Sequence, residues 1–264
     1  MRPSVRACSL AIGAVVALFI GSPARCQNPP EAKELARYIR ELHEKPEMRA
    51  RGRLVFTSPG KPQTVFQISV LRKSLPQGVR LLWSVTDPAA ARLRILIETQ
   101  ADGERKIWLA SGPEGKASLL PEKRWSESVL GSDLAITDLT SDFLAWLSQA
   151  IVRKEMFQGN SCYVLRSQPD SPGDGAYASV TAWIDQVGLL PLRVVKQPQG
   201  TAAEKEFLVK GTRKTAGRLE ATIVEIKTVG AATTTRLEFT AENGNAKVKD
   251  SEVDPALLFQ LAEK

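Results

Sequence analysis

Val65-Phe66-Gln67-Ile68-Ser69-Val70, then Pro76-Gln77-Gly78, then Val79-Arg80-Leu81-Leu82-Trp83-Ser84-Val85: these residues decide how the chain folds. Phe66, Ile68 and Val70 fall on every second position, and so do Val79, Leu81, Trp83 and Val85, which is the period of a strand with one buried face. The Pro-Gln-Gly between them reads as a turn. Upstream, Arg51-Gly52-Arg53-Leu54-Val55-Phe56 is set off by the turn Ser58-Pro59-Gly60-Lys61-Pro62. Downstream, Asp87-Pro88 breaks the strand, Leu93, Ile95 and Ile97 alternate with Arg92 and Arg94, and Asp102-Gly103 is a hairpin turn leading into Lys106-Ile107-Trp108-Leu109. Antiparallel strands joined by short turns are the sequence form of a strongly curved sheet or barrel. Leu82, Leu96 and Trp108 fall opposite the main apolar row, so apolar surface is expected on both faces.

The second half returns to this pattern. Cys162 to Arg166, Ala178 to Asp185, Leu189 to Lys196, Glu206 to Lys210, Arg218 to Val229 and Thr233 to Thr240 read as strands rich in Thr, Val and Ile. The polar loop Gln168 to Gly175 and the turn Gln186-Val187-Gly188 punctuate them. Between the two halves lies Trp125 to Leu139, W-S-E-S-V-L-G-S-D-L-A-I-T-D-L, where a turn at Gly131-Ser132-Asp133 and a helix-start signal at Thr137-Asp138 coincide. It reads as a crossing from the sheet to its cover, with Asp133 and Asp138 as structural caps. Asp138 to Ile151 is expected to be a helix of three to four turns, with Leu139, Phe143, Leu147 and Ile151 on one side. An amphipathic helix is expected over Glu31 to Glu44, ending before Pro46, and a final helical turn or two over Asp254 to Leu261.

The ends and the charge bound the rest. Arg2 and Arg6, the apolar run Leu10 to Gly21 and the small residues before Cys26 form a secretory signal over 1–26, leaving 27–264 as a single domain. Arg25 directly before Cys26 argues against lipid anchoring at that cysteine. Loss of the signal removes three arginines and no acid, so the net charge falls from +7 to +4. The remaining Lys and Arg are interspersed with Asp and Glu, which excludes a nucleic-acid-binding block. Cys162 is the one cysteine certain to remain, so no disulfide framework is expected.

An ordered set of short motifs resembles the outer-membrane lipoprotein-sorting proteins, the LolA-like family of periplasmic lipid and lipoprotein carriers. The set comprises Lys106-Ile107-Trp108-Leu109, Val129-Leu130-Gly131-Ser132-Asp133-Leu134 with Thr137-Asp138-Leu139, Gly159 to Leu165 with Pro169, Ala182-Trp183-Ile184-Asp185, and Leu190-Pro191-Leu192-Arg193. The resemblance extends over about 48 to 261. Leu109 to Pro113 stands where the family often has a Tyr-Leu-Pro-like segment, and Leu134-Ala135 where aromatic residues are common. The resemblance implies a mainly β (α+β) fold: an unclosed antiparallel β-barrel of about ten or eleven strands, its concave face covered by helices over an apolar cavity for acyl chains.

On that reading the cavity wall is Phe66, Ile68, Leu81, Trp83, Ile95 and Ile97, and the lid is Leu139, Phe143 and Leu147. Trp83, Trp108, Trp125, Trp146 and Trp183 are each more simply core. His43 is the only histidine and reads as a partner of a helix C-terminus, while Cys162 reads as a buried strand cysteine. Catalytic residues: none are found, and no metal site or cofactor is expected. The expected protein is a monomeric, non-enzymatic periplasmic carrier of lipids or lipid-modified proteins, in transient contact with membrane proteins or the membrane surface and not with nucleic acid. The alternative is an envelope regulatory or scaffold protein that uses the same sheet as a protein-binding or sensing surface.

Overall fold

The computed structural model describes residues 31–43, 47–112, 117–140, 142–170, 176–215, 217–240 and 247–256. The expected signal at 1–26, the expected linker before Glu31, the end of the expected helix over Asp254 to Leu261 and parts of the loops near 113 and 172 lie outside them.

Helix α1 (Ala32–His43) carries Glu34 in its first turn and Arg40 and His43 in its last, the arrangement a helix dipole favours. It buries Leu35, Ala36 and Ile39. Six strands follow as a meander: β1 (Glu47–Thr57), β2 (Thr64–Leu75), β3 (Gly78–Asp87), β4 (Leu93–Gln100), β5 (Arg105–Ser111) and the short β6 (Ser118–Leu119). A second meander comprises β7 (Ser148–Phe157), β8 (Asn160–Gln168), β9 (Tyr177–Asp185), β10 (Pro191–Pro198), β11 (Lys205–Thr215), β12 (Arg218–Thr228) and β13 (Thr234–Thr240). Pairing of β1 with β13, from Arg51 opposite Thr240 to Thr57 opposite Thr234, fuses them. The result is one antiparallel sheet of 13 strands in the order β6-β5-β4-β3-β2-β1-β13-β12-β11-β10-β9-β8-β7. Its edges, β6 and β7, are not paired with each other, so the barrel is unclosed, with more strands than the ten or eleven expected.

The register sorts the side chains by face. Trp83 lies opposite Val70 and Ile95, Leu54 opposite Phe66 and Leu237, and Phe207 opposite Ile226 and Val194. One face therefore carries a continuous apolar row across the sheet. Trp83 of β3 and Phe239 of β13 meet edge to face with centroids 6.4 Å apart. Their strands are three positions apart, roughly 14 Å on a flat sheet at about 4.8 Å per strand. The sheet therefore bends toward this face. Gly52 helps to bring β1 and β13 together, since a Cβ there would sit 2.2 Å from the Glu238 carbonyl oxygen.

The chain must travel from β6 at one edge to β7 at the other, and it does so across the apolar row. Leu120, Val129, Leu134 and Ile136 of this crossing are buried against Leu54, Phe66, Ile68, Ile95, Ile97 and Leu237. At roughly 1.5–3 kcal/mol per large apolar side chain, these four contribute about 6–12 kcal/mol as an upper bound. Leu130 and Gly131, with φ of 55° and 73°, turn the crossing back on itself. α1 packs on the same face farther along, against Leu165, Ala182 and Ile184.

The expected helix over Asp138 to Ile151 does not form. Its place is taken by the five-residue α2 (Ile136–Thr140), a single 3-10 turn at Phe143–Ala145 and the start of β7. Residues four apart share a face on a strand as well as on a helix, so Leu139, Phe143, Leu147 and Ile151 satisfy both patterns. Edge pairing with β8 and the β-branched Ile151-Val152 decide for the strand. The cover over the bent face is thus mostly turns and extended chain, with α1 at one end. On the opposite face Leu71, Leu82, Leu96 and Trp108, the residues out of phase with the main row, are closed off by Val248 and Val253 of the C-terminal segment.

Candidate functional site

A cavity of about 520 Å³ opens between the bent face and the crossing. β2, β3 and β13 give it Val70, Leu81, Trp83, Leu237 and Phe239, β11 adds Phe207, and Leu134 and Leu139 come from the crossing. Every second residue of each strand faces inward, which is why alternating sequences produce an apolar wall. The remaining lining includes His43 at the end of α1 and Arg213 and Glu220 on β11 and β12; Glu47 and Arg49 of β1 border the cavity, but their side chains share the opposite face with Leu71 and pair with the C-terminal segment there.

Two buried carboxylates tie the crossing to the sheet. Asp133 accepts hydrogen bonds from the hydroxyls of Thr233 at 2.8 Å and Thr235 at 2.9 Å, and its backbone N–H donates to Thr235 Oγ1 at 2.8 Å. Asp138, whose side chain is 0% exposed, accepts from Lys196 at 3.0 Å, Lys205 at 3.1 Å, the Tyr177 hydroxyl and the Ala135 N–H at 2.8 Å. Both lysines are largely withdrawn from water, at 6% and 17% side-chain exposure. Lys196 also lies over the rings of Phe207 at 4.5 Å and Tyr177 at 5.0 Å.

Burial by itself would push the Asp138 carboxyl up, but the charges of Lys196 and Lys205, with the Tyr177 and Ala135 hydrogen bonds, hold it below the usual carboxylate range. Burial pulls Lys196 below the usual lysine range, and the Asp138 charge offsets part of this. The Tyr177 hydroxyl is pushed up by burial and by Asp138. Asp138 thus caps the local turn, as the sequence indicates, and is also the hub joining α2 to β9, β10 and β11.

The six expected wall residues share the bent face and belong to one apolar cluster. Leu81 and Trp83 line the cavity, whereas Phe66, Ile68, Ile95 and Ile97 are buried beside it at 9%, 2%, 1% and 3% exposure. Of the expected lid, Leu139 lines the cavity and Phe143 packs with the α1 cluster instead. Leu147 is 66% exposed at the entry to β7, so the three do not form one lid. The reason is that the segment is divided among α2, the turn at Phe143–Ala145 and the entry to β7, so no single element aligns them.

His43 does more than meet a helix end, for its Nε2 lies 3.0 Å from the Leu189 carbonyl, to which it donates, and it is among the residues lining the cavity. Trp183 is on the opposite face with the Arg193 guanidinium 4.4 Å from its ring centre. Cys162 is fully buried, and burial pushes its thiol up, which makes it a poor nucleophile. Val70 reaches Trp83 through the local β2–β3 pairing, but Phe207, Leu237 and Phe239 escape a reading of the sequence because the pairing of β1 with β13 brings them to Trp83. Their alternation was visible, but their shared destination was not. Among the described residues no group of three or more His, Cys, Asp or Glu could hold a metal ion, and no helix is long and apolar enough to cross a membrane.

A family model described as "Uncharacterized protein" matches residues 79–258. No curated protein matches the chain. Among solved structures, a DUF1329 family protein from Desulfovibrio piger is similar with a TM-score of 0.79 at 15% identity, covering 86% of this chain and 97% of its own. A putative outer membrane lipoprotein-sorting protein domain from Vibrio parahaemolyticus is similar with a TM-score of 0.77 at 15% identity, covering 86% and 98%. A LolA superfamily protein from Nitrosomonas europaea is similar with a TM-score of 0.67 at 15% identity, again covering 86% and 98%.

Proposed function

Because the chain belongs to the family whose model spans residues 79–258 and has the LolA-like fold, we propose that it is a non-enzymatic carrier of lipids or acylated lipoproteins. The acyl chain is held in the cavity between the sheet and its crossing. The observation that carries this reading is the 520 Å³ cavity with Leu81, Trp83, Leu139, Phe207 and Phe239 among its walls and charged residues also lining it. Its size is in the range of small-molecule sites, about 300–1,000 Å³. Each methylene buried there contributes roughly 0.8 kcal/mol, so a chain burying about ten gains some 8 kcal/mol toward the cost of leaving a bilayer. The secretory signal expected over 1–26 supports placing the carrier in the periplasm, where it would meet membrane surfaces or membrane proteins transiently.

Native mass spectrometry of protein purified from a membrane-containing lysate is expected to show bound acyl lipid, and Trp fluorescence is expected to respond to added fatty acid. Trp83→Arg should abolish that uptake while the fold persists. An empty protein whose fluorescence ignores fatty acid would refute the proposal. It would favour the scaffold reading, which one observation supports: the free edge of β7 exposes Val152 at 47% and Met156 at 66%, an edge of the kind to which extended peptides add.

A further inference from the structure

Each charged group lining the cavity is already engaged by another group of the protein. Arg213 lies 3.2 Å from Glu220 across β11 and β12. Arg49 donates to both carboxylate oxygens of Glu252 at 2.7 and 2.8 Å. Glu47 accepts from the Val248 N–H at 3.2 Å and lies 3.7 Å from Lys73. His43 is committed to the Leu189 carbonyl, and Asp138 to its two lysines. Within the cavity Glu220 balances Arg213 in sign. An ionic head group that took Arg213 would have to displace Glu220, exchanging one partly exposed ion pair for another with little net gain, and the Arg49 guanidinium is turned to the opposite face of the sheet with Glu252.

The volume sets the second condition. At roughly 30 Å³ per group, the share of one water in the liquid, 520 Å³ accommodates about 17 groups. That is one chain of palmitoyl length, not two of that length.

From these two observations, and resting on the carrier reading above, we infer that the cavity selects its ligand by a single hydrocarbon chain and leaves the head group in water at the mouth. Anionic, zwitterionic and uncharged heads are then accepted alike. The excess cation of the Lys196, Lys205 and Asp138 cluster does not change this, because Asp138 and Phe207 line the cavity and the two lysines are not among its lining residues.

The test uses the mature chain and calorimetric titration, below the micelle thresholds of the ligands, with palmitate, palmitoyl-lysophosphatidylcholine and monopalmitoylglycerol, which carry the same chain. Their Kd values are expected to agree within about threefold and to respond little to salt. Within the fatty acid series, each methylene removed should weaken binding about fourfold. A preference of more than about tenfold for palmitate, lost at high salt or in Lys205→Met, would overturn the inference and leave the carrier reading standing. The same holds if chain length has no effect. If none of the three binds, the carrier reading falls and this inference with it.

Discussion

Asp138→Asn removes the one anion from a cluster that also holds two buried cations. The side chains of Asp138, Lys196 and Lys205 are 0%, 6% and 17% exposed, and each lysine lies within 3.1 Å of an Asp138 oxygen. The amide keeps the shape and some of the hydrogen bonds but strands two charges largely withdrawn from water. Removing one partner of a buried pair costs about 3–5 kcal/mol, a large share of a total stability of about 5–15 kcal/mol. For a chain of this size that corresponds to a fall in Tm of about 6–20 °C. The cluster is asymmetric, so the cost is too. Lys196→Met leaves Asp138 paired with Lys205, and Lys205→Met leaves it paired with Lys196, so each should lose less than Asp138→Asn. Adding Lys196→Met to Asp138→Asn should restore part of the loss, because one of the stranded cations is gone. Urea unfolding at neutral pH, followed by far-UV circular dichroism, gives all four values. If Asp138→Asn lies within about 1 kcal/mol of the wild type, the pair behaves as a surface salt bridge, and the buried hub described above is wrong.

The same carboxyl predicts a pH dependence. Its folded value lies below the unfolded one, so its contribution is complete above about pH 4 and is lost as pH falls through the folded value; the Tm gap between wild type and Asp138→Asn should narrow below that pH and stay constant from pH 5 to 7. Gly52→Ala should cost about 1–3 kcal/mol, since the new methyl must push away the Glu238 backbone, and a melt no lower than wild type would show that β1 and β13 are not so close. Leu134→Ala, at a site 2% exposed, should cost about 2–5 kcal/mol, whereas Leu147→Ser, at 66% exposure, should stay within about 0.5 kcal/mol. Comparable losses would mean that Leu147 is covered after all.

The sequence by itself determined the strand content and the facing of the strands. Period-two alternation in Phe66-Ile68-Val70 or Leu81-Trp83-Val85 depends only on neighbours two positions away, and the pleat converts it directly into a buried face. The out-of-phase Leu82, Leu96 and Trp108 likewise announced a second apolar surface, although not that Val248 and Val253 would close it. Trp125 to Leu139 could be read as a crossing because turn and cap chemistry is local.

Only the tertiary structure decided the rest, because it hangs on pairs far apart in the chain. Joining β1 to β13 places Trp83 against Phe239 and creates the cavity. Edge pairing with β8 turns Ser148–Phe157 into a strand where a spacing of four allowed either period, and so removes Leu147 from the expected lid. Asp138 was legible as a cap, a matter of three residues, yet its main partners are Tyr177, Lys196 and Lys205, between 39 and 67 positions away. A lone aspartate before a leucine carries no mark of two lysines on distant strands. What places them there is the bend of the sheet, and the bend is a property of all 13 strands together.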